Sequence, residues 1–182
     1  MSITDEAIKA SESHSRNFQH GDLPMPPARK LAVVACMDAR LMPDRVLGLD
    51  IGDAHVIRNA GGIVTEDALR SLIISHHLLG TQEIIIINHT DCGMLTFKDE
   101  DLHARLQEQT GVAPSAPVYF HTFSDLEANV RQQIQRVKSH PWIPDDIPVR
   151  GFIYDVRTGS LSEVPATVGQ GNQSYEGQSA TA

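Results

Sequence analysis

The sequence has few cysteines, one tryptophan and no long apolar run. Cys36 and Cys92 are its only cysteines among 182 residues. Two cysteines so far apart do not indicate the disulfide framework of a small secreted domain, which leaves metal binding, catalysis or simple burial as their use. No apolar run approaches the roughly 18 residues of a membrane span, so we expect no membrane insertion.

Basic charge is also scarce. The sequence contains 15 Lys and Arg residues and 23 Asp and Glu residues, which gives a formal net charge of -8. Such a surface offers no diffuse positive field to nucleic acid or to an anionic membrane. The first residues lack the basic segment and apolar core of a secretory signal. We therefore expect a cytoplasmic protein that binds neither nucleic acid nor membranes.

The length suits one well-buried domain. We expect residues 1–29 to form an N-terminal helical arm with a Pro-rich connector, residues 30–165 to form the main domain, and residues 166–182 to form a disordered tail. The apolar stripe of the arm is thin, so this helix needs a large surface to pack on. A partner subunit is a candidate for that surface.

From Lys30 onward, strand-length apolar runs alternate with amphipathic helical patterns. Strands are predicted at 31–35, 55–58, 83–88 and 149–156, with a hairpin return at 161–164. Helices are predicted at 3–20, 65–79, 99–109 and 124–139. The four consecutive isoleucines at 84–87 are typical of a central parallel strand covered on both faces. The pattern predicts an α/β fold with a mainly parallel sheet flanked by helices.

Chemistry-bearing side chains follow two of the predicted strands. Cys36 closes the first apolar run and is followed by Asp38 and Arg40. His89 closes the isoleucine run and is followed by Cys92. Ligands gather at the carboxyl ends of parallel strands. If the two strands are neighbours, Cys36, His89 and Cys92 can therefore converge on one ion.

Two sulfurs and one nitrogen form the ligand set of zinc in catalytic sites such as that of alcohol dehydrogenase, where the fourth position stays open. A structural zinc site would ordinarily take four protein ligands, so three ligands favour a catalytic site. Zinc-bound water ionises near neutral pH and becomes a nucleophile. Asp38 is placed to reach the metal's fourth position or the water on it, and Arg40 to hold Asp38 by a bidentate ion pair. If both lie at a strand end, their alternate spacing puts them on the face of Cys36.

Three motifs in this order resemble those of the β-class carbonic anhydrases, above all their short prokaryotic branch. The motifs are Cys36-x-Asp38-x-Arg40, Arg58-Asn59-Ala60-Gly61-Gly62 and His89-x-x-Cys92. The resemblance implies that Cys36, His89 and Cys92 bind one Zn²⁺ per chain. It also implies that Asp38 and Arg40 form a catalytic dyad, and that residues 30–165 are an α/β zinc-binding catalytic domain.

The resemblance further implies a sheet of about four parallel strands with an added edge strand. The N-terminal helical arm would pack on a partner subunit, in a homodimer or a dimer of dimers. The implied activity is the reversible hydration of carbon dioxide to bicarbonate and a proton by attack of zinc-bound hydroxide. Related enzymes of the same branch hydrolyse carbonyl sulfide or carbon disulfide with an unchanged metal motif, so these are alternative substrates. A non-catalytic zinc or redox-sensing module is a third hypothesis.

The sequence departs from the family pattern at three positions. Met37 and Ala39 stand where many members have serine, which removes the hydrogen bonds of those hydroxyl groups. Val33 stands where members regulated by bicarbonate have tryptophan, so that regulation is not implied. Outside the motifs, His76 and His77 are adjacent on a predicted helix and face different ways, and we assign them no metal.

Overall fold

One five-stranded sheet organises the chain, whose computed structural model describes residues 1–113 and 118–166. Its strands are β1 (Leu31–Cys36), β2 (Ala54–Asn59), β3 (Glu83–His89), β4 (Val149–Tyr154) and β5 (Leu161–Val164). They lie in the order β2-β1-β3-β4-β5. The first four are parallel, and β5 returns antiparallel beside β4. The predicted fold class, with four parallel strands and an added edge strand, is confirmed.

Five helices accompany the sheet within the described residues. They are α1 (Ile3–Arg16), α2 (Pro43–Leu47), α3 (Glu66–His77), α4 (Asp99–Thr110) and α5 (Leu126–Lys138). The first ends earlier than predicted, because Asn17 leaves the helical conformation and caps it. No periodicity predicts α2, because five residues are too few to display one.

The two central strands are buried on both faces, as their uninterrupted apolar runs predict. Every residue of β1 is buried. On β3, Ile84, Ile86 and Ile87 are almost inaccessible to solvent. Ala35 pairs with Ile87 in the parallel register, so the two strands end side by side. That register brings the residues after both runs to one edge of the sheet.

Helices α3 and α5 carry the two apolar faces that the sequence predicts. The Thr65 hydroxyl accepts a hydrogen bond from the backbone N–H of Ala68 and caps α3. On α5, Val130, Ile134 and Val137 are buried in the core cluster that includes residues of β3 and β4. Helix packing therefore covers the sheet next to the strand ends.

The N-terminal helix α1 has no buried residue within the described chain. Ser2 and Asp5 form a capping box that defines its start. A helix of this length is only marginally stable in water without packing. Its packing on a partner subunit stays a prediction. Of the predicted tail, residues 167–182 lie outside the described part of the chain.

None of the helices in the described residues is long and apolar enough to cross a membrane.

The contact between α5 and β4 depends on the absence of a side chain at Gly151. A Cβ atom there would meet Val130 and would lie 2.7 Å from Cδ1 of Ile134. We expect Gly151→Ala to lower the free energy of unfolding by about 1–3 kcal/mol, because an overpacked core must shift. Urea unfolding measures this change. The matched control is Gly21→Ala, where a Cβ would meet no described atom within 4 Å; equal unfolding midpoints for the two variants would contradict the packing described.

Candidate metal centre

Three donor side chains meet at the carboxyl edge of the sheet. The ligand atoms of Cys36, His89 and Cys92 all lie within 4.8 Å of one another, and all three residues are buried. Cys36 is the last residue of β1, and His89 is the last of β3. Cys92 follows a tight turn in which Asp91 adopts a left-handed φ of 56°. The convergence that the sequence predicts is thus present in the fold.

The orientation of the His89 ring suits metal binding. Its Nδ1 atom lies 2.8 Å from the carbonyl oxygen of Thr90. Donation of the Nδ1 proton to that oxygen leaves a lone pair on Nε2. The Nε2 atom is buried and has no hydrogen-bond partner among the described residues. Because a buried polar atom without a partner is costly, a cation at this point fits the ring.

Thr90 is itself fixed by the neighbouring strand. Its backbone N–H donates to the carbonyl oxygen of Tyr154, and its hydroxyl accepts from the backbone N–H of Val156 at 3.1 Å. The carbonyl that orients His89 is therefore tied to the end of β4. Sequence reasoning missed this role, because a backbone acceptor leaves no pattern in the side chains.

The two thiols shift each other's pKa in opposite directions. A hydrogen bond from the Cys92 thiol, opposed by burial, lowers the pKa of Cys36 to about 4. The pKa of Cys92 is raised, because it donates to the Cys36 thiolate and is buried. Because a thiolate and not a thiol is the metal ligand, binding of a cation would release protons from this pair.

Asp38 is held in its ionised form by Arg40. The guanidinium Nε and Nη2 atoms lie 3.0 and 2.8 Å from the two carboxylate oxygens, and the Arg40 backbone N–H also donates to Asp38. These hydrogen bonds keep the pKa of Asp38 well below its usual range, although desolvation opposes them. Oδ2 of Asp38 lies 3.6 Å from Nε2 of His89. The carboxylate thus faces the donor atoms.

The prediction of which local structure positions Asp38 and Arg40 at the metal centre is wrong. We expected alternate positions on a strand to put both on the face of Cys36. The strand β1 ends at Cys36, and Asp38 and Arg40 lie in the loop and turn that follow. Hydrogen bonds within that turn, rather than strand pleating, aim the carboxylate at the site.

Arg40 also connects the two motif loops. Its Nη1 atom lies 2.8 Å from Oδ2 of Asp91, and its Nη2 atom donates to the Asp91 carbonyl oxygen at 3.0 Å. Asp91 stands between the donors His89 and Cys92. The sequence analysis did not predict this contact, although Asp91 lies inside the second motif and its carboxylate could have suggested an ion pair.

Arg58 and Asn59 brace the loops of the site. Arg58 Nη2 donates to the carbonyl oxygens of Cys36 and Asp38, at 3.0 and 2.8 Å. The Asn59 side chain both donates to and accepts from the backbone of Ile63. These contacts fix the backbone around Cys36, the first of the three donors.

A cavity of about 410 Å³ lies over the three donors. Its other lining residues are Met37, Asp38, Ala60, Gly61, Gly93, Met94, Thr96 and Phe97. The walls are mainly apolar, which suits a small neutral ligand, and Asp38 is the charged group among them. Met94 lines this cavity, whereas Leu41 and Val64 belong to the buried core.

His76 and His77 have structural contacts in the described chain. The His76 ring reaches the carbonyl oxygen of Thr81, and the His77 ring that of Trp142. These contacts agree with assigning the pair no metal.

Fold and donor cluster together define an α/β protein with a candidate metal centre of two cysteines and one histidine. A family model described as carbonic anhydrase matches residues 31–161. Beta-carbonic anhydrase 1 of Mycobacterium tuberculosis is 47% identical over 165 residues, which cover 90% of this chain and 99% of that protein. The chain belongs to the β-carbonic anhydrase family, and the resemblance seen in its motifs is confirmed.

Two further relatives define the range of the similarity. The crystal structure of carbonic anhydrase from Streptococcus mutans has a TM-score of 0.85 and 44% identity, over 91% of this chain and 99% of that one. A carbon disulfide hydrolase of Acidithiobacillus thiooxidans is 35% identical over 188 residues, which cover 93% of this chain and 94% of that protein. Similarity thus extends to a protein named for a sulfur-containing substrate.

Removal of one donor tests the metal centre. We expect His89→Ala to lower the metal content of the purified protein by at least about tenfold, because the site loses its nitrogen ligand. The matched control is His77→Ala, which removes an exposed ring and should leave the metal content unchanged. Elemental analysis by mass spectrometry measures both. Equal metal contents in the two variants would exclude His89 as a ligand.

Proposed function

We propose that this protein is a zinc carbonic anhydrase that interconverts carbon dioxide and bicarbonate. The observation that carries the proposal is the position of Asp38, an ionised carboxylate 3.6 Å from the Nε2 atom of His89, which has no hydrogen-bond partner in the described part of the chain. A site that only stored a metal ion would not need a fixed carboxylate beside its donors. Membership of the carbonic anhydrase family supports the same activity.

Cys36, His89 and Cys92 would hold one Zn²⁺ per chain. Two thiolates and one imidazole match the ligands of catalytic zinc, whose fourth position is open, whereas closed structural sites use four protein ligands. When bound, zinc lowers the pKa of a water molecule to about 7 and so supplies a nucleophile at neutral pH.

Asp38 would orient that nucleophile. An ionised carboxylate accepts hydrogen bonds and cannot donate one. A water molecule or hydroxide beside Oδ2 must therefore direct a proton toward Asp38, which leaves its lone pair free to face the cavity. The bidentate contact with Arg40 fixes the direction of the carboxylate. Asp38 and Arg40 are therefore proposed as the catalytic dyad.

The cavity walls would receive carbon dioxide. This substrate is linear, neutral and without hydrogen-bond donors, so apolar contacts are sufficient to admit it. Met37, Met94 and Phe97 supply such contacts beside the donors.

Hydrolysis of carbonyl sulfide or carbon disulfide is the second candidate. It is favoured by the 35% identity to a carbon disulfide hydrolase over nearly the whole chain. The same apolar walls, with two thioether side chains, would accept a linear sulfur-containing molecule. A non-catalytic zinc or redox-sensing module is the third candidate, and in it Asp38 would be dispensable.

We further propose a homodimer or a dimer of dimers in which α1 packs on a partner subunit. Support comes from the lack of buried residues along α1, where Ile3 and Ile8 are exposed. In this assembly residues 1–29 serve as an arm, residues 30–165 as the catalytic domain and residues 166–182 as a tail. A cytoplasmic location is part of the proposal, since a reducing compartment keeps both cysteines available for metal.

A paired substrate assay tests the proposed function. We expect zinc-loaded protein to hydrate carbon dioxide rapidly in stopped-flow measurements with a pH indicator. Hydrogen sulfide release from carbonyl sulfide and carbon disulfide is measured on the same preparation and should be much slower. The opposite order of rates would establish the hydrolase, and a lack of both activities would leave the non-catalytic module.

The Asp38→Asn variant belongs in the same assay. It keeps the size of the side chain, but its amide can donate a hydrogen bond, so the nucleophile loses its orientation. We expect a rate loss of about 10²- to 10⁴-fold with zinc retained. The matched control is Asp146→Asn, an exposed residue shortly before β4 and thus near the opposite edge of the sheet. An undiminished rate in Asp38→Asn would refute the dyad.

A further inference from the structure

Three buried amide side chains lie between α5 and the candidate metal centre. Asn88 is 1% exposed, and Asn129 and Gln133 are each 4% exposed. Asn88 directly precedes His89 on β3, whereas Asn129 and Gln133 are one turn apart on α5. Amides are costly to bury unless each polar atom finds a partner, so a cluster of three needs a physical reason.

Hydrogen bonds run through these amides in a single direction. Gln133 Nε2 donates to Oδ1 of Asn129 at 2.9 Å, and Asn129 Nδ2 donates to Oδ1 of Asn88 at 2.7 Å. Asn88 Nδ2 donates in turn to the carbonyl oxygen of Gly61 at 2.8 Å. The backbone N–H of Val64 donates to Oε1 of Gln133 at 2.9 Å. The amide chain of Asn88, Asn129 and Gln133 thus begins and ends on residues 61–64.

Residues 61–64 lie directly against the first metal donor. Gly61 lines the same cavity as the three donors. A Cβ atom on Gly62 would lie 2.8 Å from the backbone nitrogen of Cys36. Both glycines have left-handed φ values, 80° and 62°. A segment of this kind has many alternative conformations, so its position depends on external contacts.

We propose that Asn88, Asn129 and Gln133 are positioning residues that hold residues 61–64 against Cys36 and so fix the position of this donor at the metal centre. They act from the α5 side of the loop, whereas the Asn59 side chain restrains only Ile63. Hydrophobic residues could fill the same space, so the directed chain serves orientation rather than packing alone. The proposal depends on Cys36 being a metal ligand, as in the proposed function, but it does not depend on the substrate.

The predicted effect follows from the close approach of Gly62 to the Cys36 backbone. Contacts that orient a metal ligand from outside set metal affinity. If residues 61–64 shift, Cys36 loses this support. We then expect weaker zinc binding and a displaced thiolate-to-metal charge-transfer band in the Co²⁺-substituted protein.

The test is Gln133→Met, which keeps the length of the side chain but removes both of its hydrogen bonds. The matched control is Gln135→Met, the same change at an exposed position of α5. Zinc affinity is measured by competition with a chromophoric chelator, and the charge-transfer band by absorption spectroscopy. Both are recorded well below the unfolding temperature of each variant. We expect Gln133→Met to weaken zinc binding about 10- to 100-fold and to shift the band, and Gln135→Met to change neither.

A second variant keeps the proposal testable if Gln133→Met does not fold. Gln133→Asn retains an amide but is too short to reach Asn129 and Val64 together, so it should shift both readouts in the same direction. A folded variant with wild-type zinc affinity and an unchanged Co²⁺ spectrum would overturn the proposal. These measurements need no turnover. Failure of the proposed activity appears separately, as zinc-loaded wild-type protein that hydrates no carbon dioxide.

Discussion

The parallel pairing of β1 with β3 is the constraint on which the metal centre depends. The pairing opposes Ala35 to Ile87, so Cys36 and His89 leave the sheet at one edge. A register slip of one residue would turn the side chains of a strand to the other face and separate the two motifs. Burial of both strands specifies the register strongly. The apolar runs therefore do more than form a core, because they determine where the ligands meet.

Around that edge, charged and polar contacts supply orientation rather than stability. An exposed ion pair typically contributes about 0–1 kcal/mol, so the contact of Arg40 with Asp91 adds little to folding. Its effect is to join the loops that follow β1 and β3. Arg58 fixes the carbonyl oxygens of the first loop, and the amide chain holds the opposite wall from α5. The donors are thus restrained from several directions.

The sequence predicted those features that a local pattern encodes. Uninterrupted apolar runs indicated the buried strands, amphipathic spacing indicated α3, and paired motifs indicated the donors. It could not predict features that depend on distant backbone positions. The contact of Arg40 with Asp91 and the hydrogen bonds from α5 through Asn88 to Gly61 arise only when separate elements meet. The prediction that Asp38 projects from a strand was wrong, because spacing alone does not reveal where a strand ends.

The central claim is that Cys36, His89 and Cys92 bind one ion in common. X-ray absorption at the zinc edge of metal-loaded protein tests this claim most directly. We expect a first shell of two sulfur atoms at about 2.3 Å and two nitrogen or oxygen atoms at about 2.0–2.1 Å, the second of these being the open position. A first shell with one sulfur or none would contradict the site.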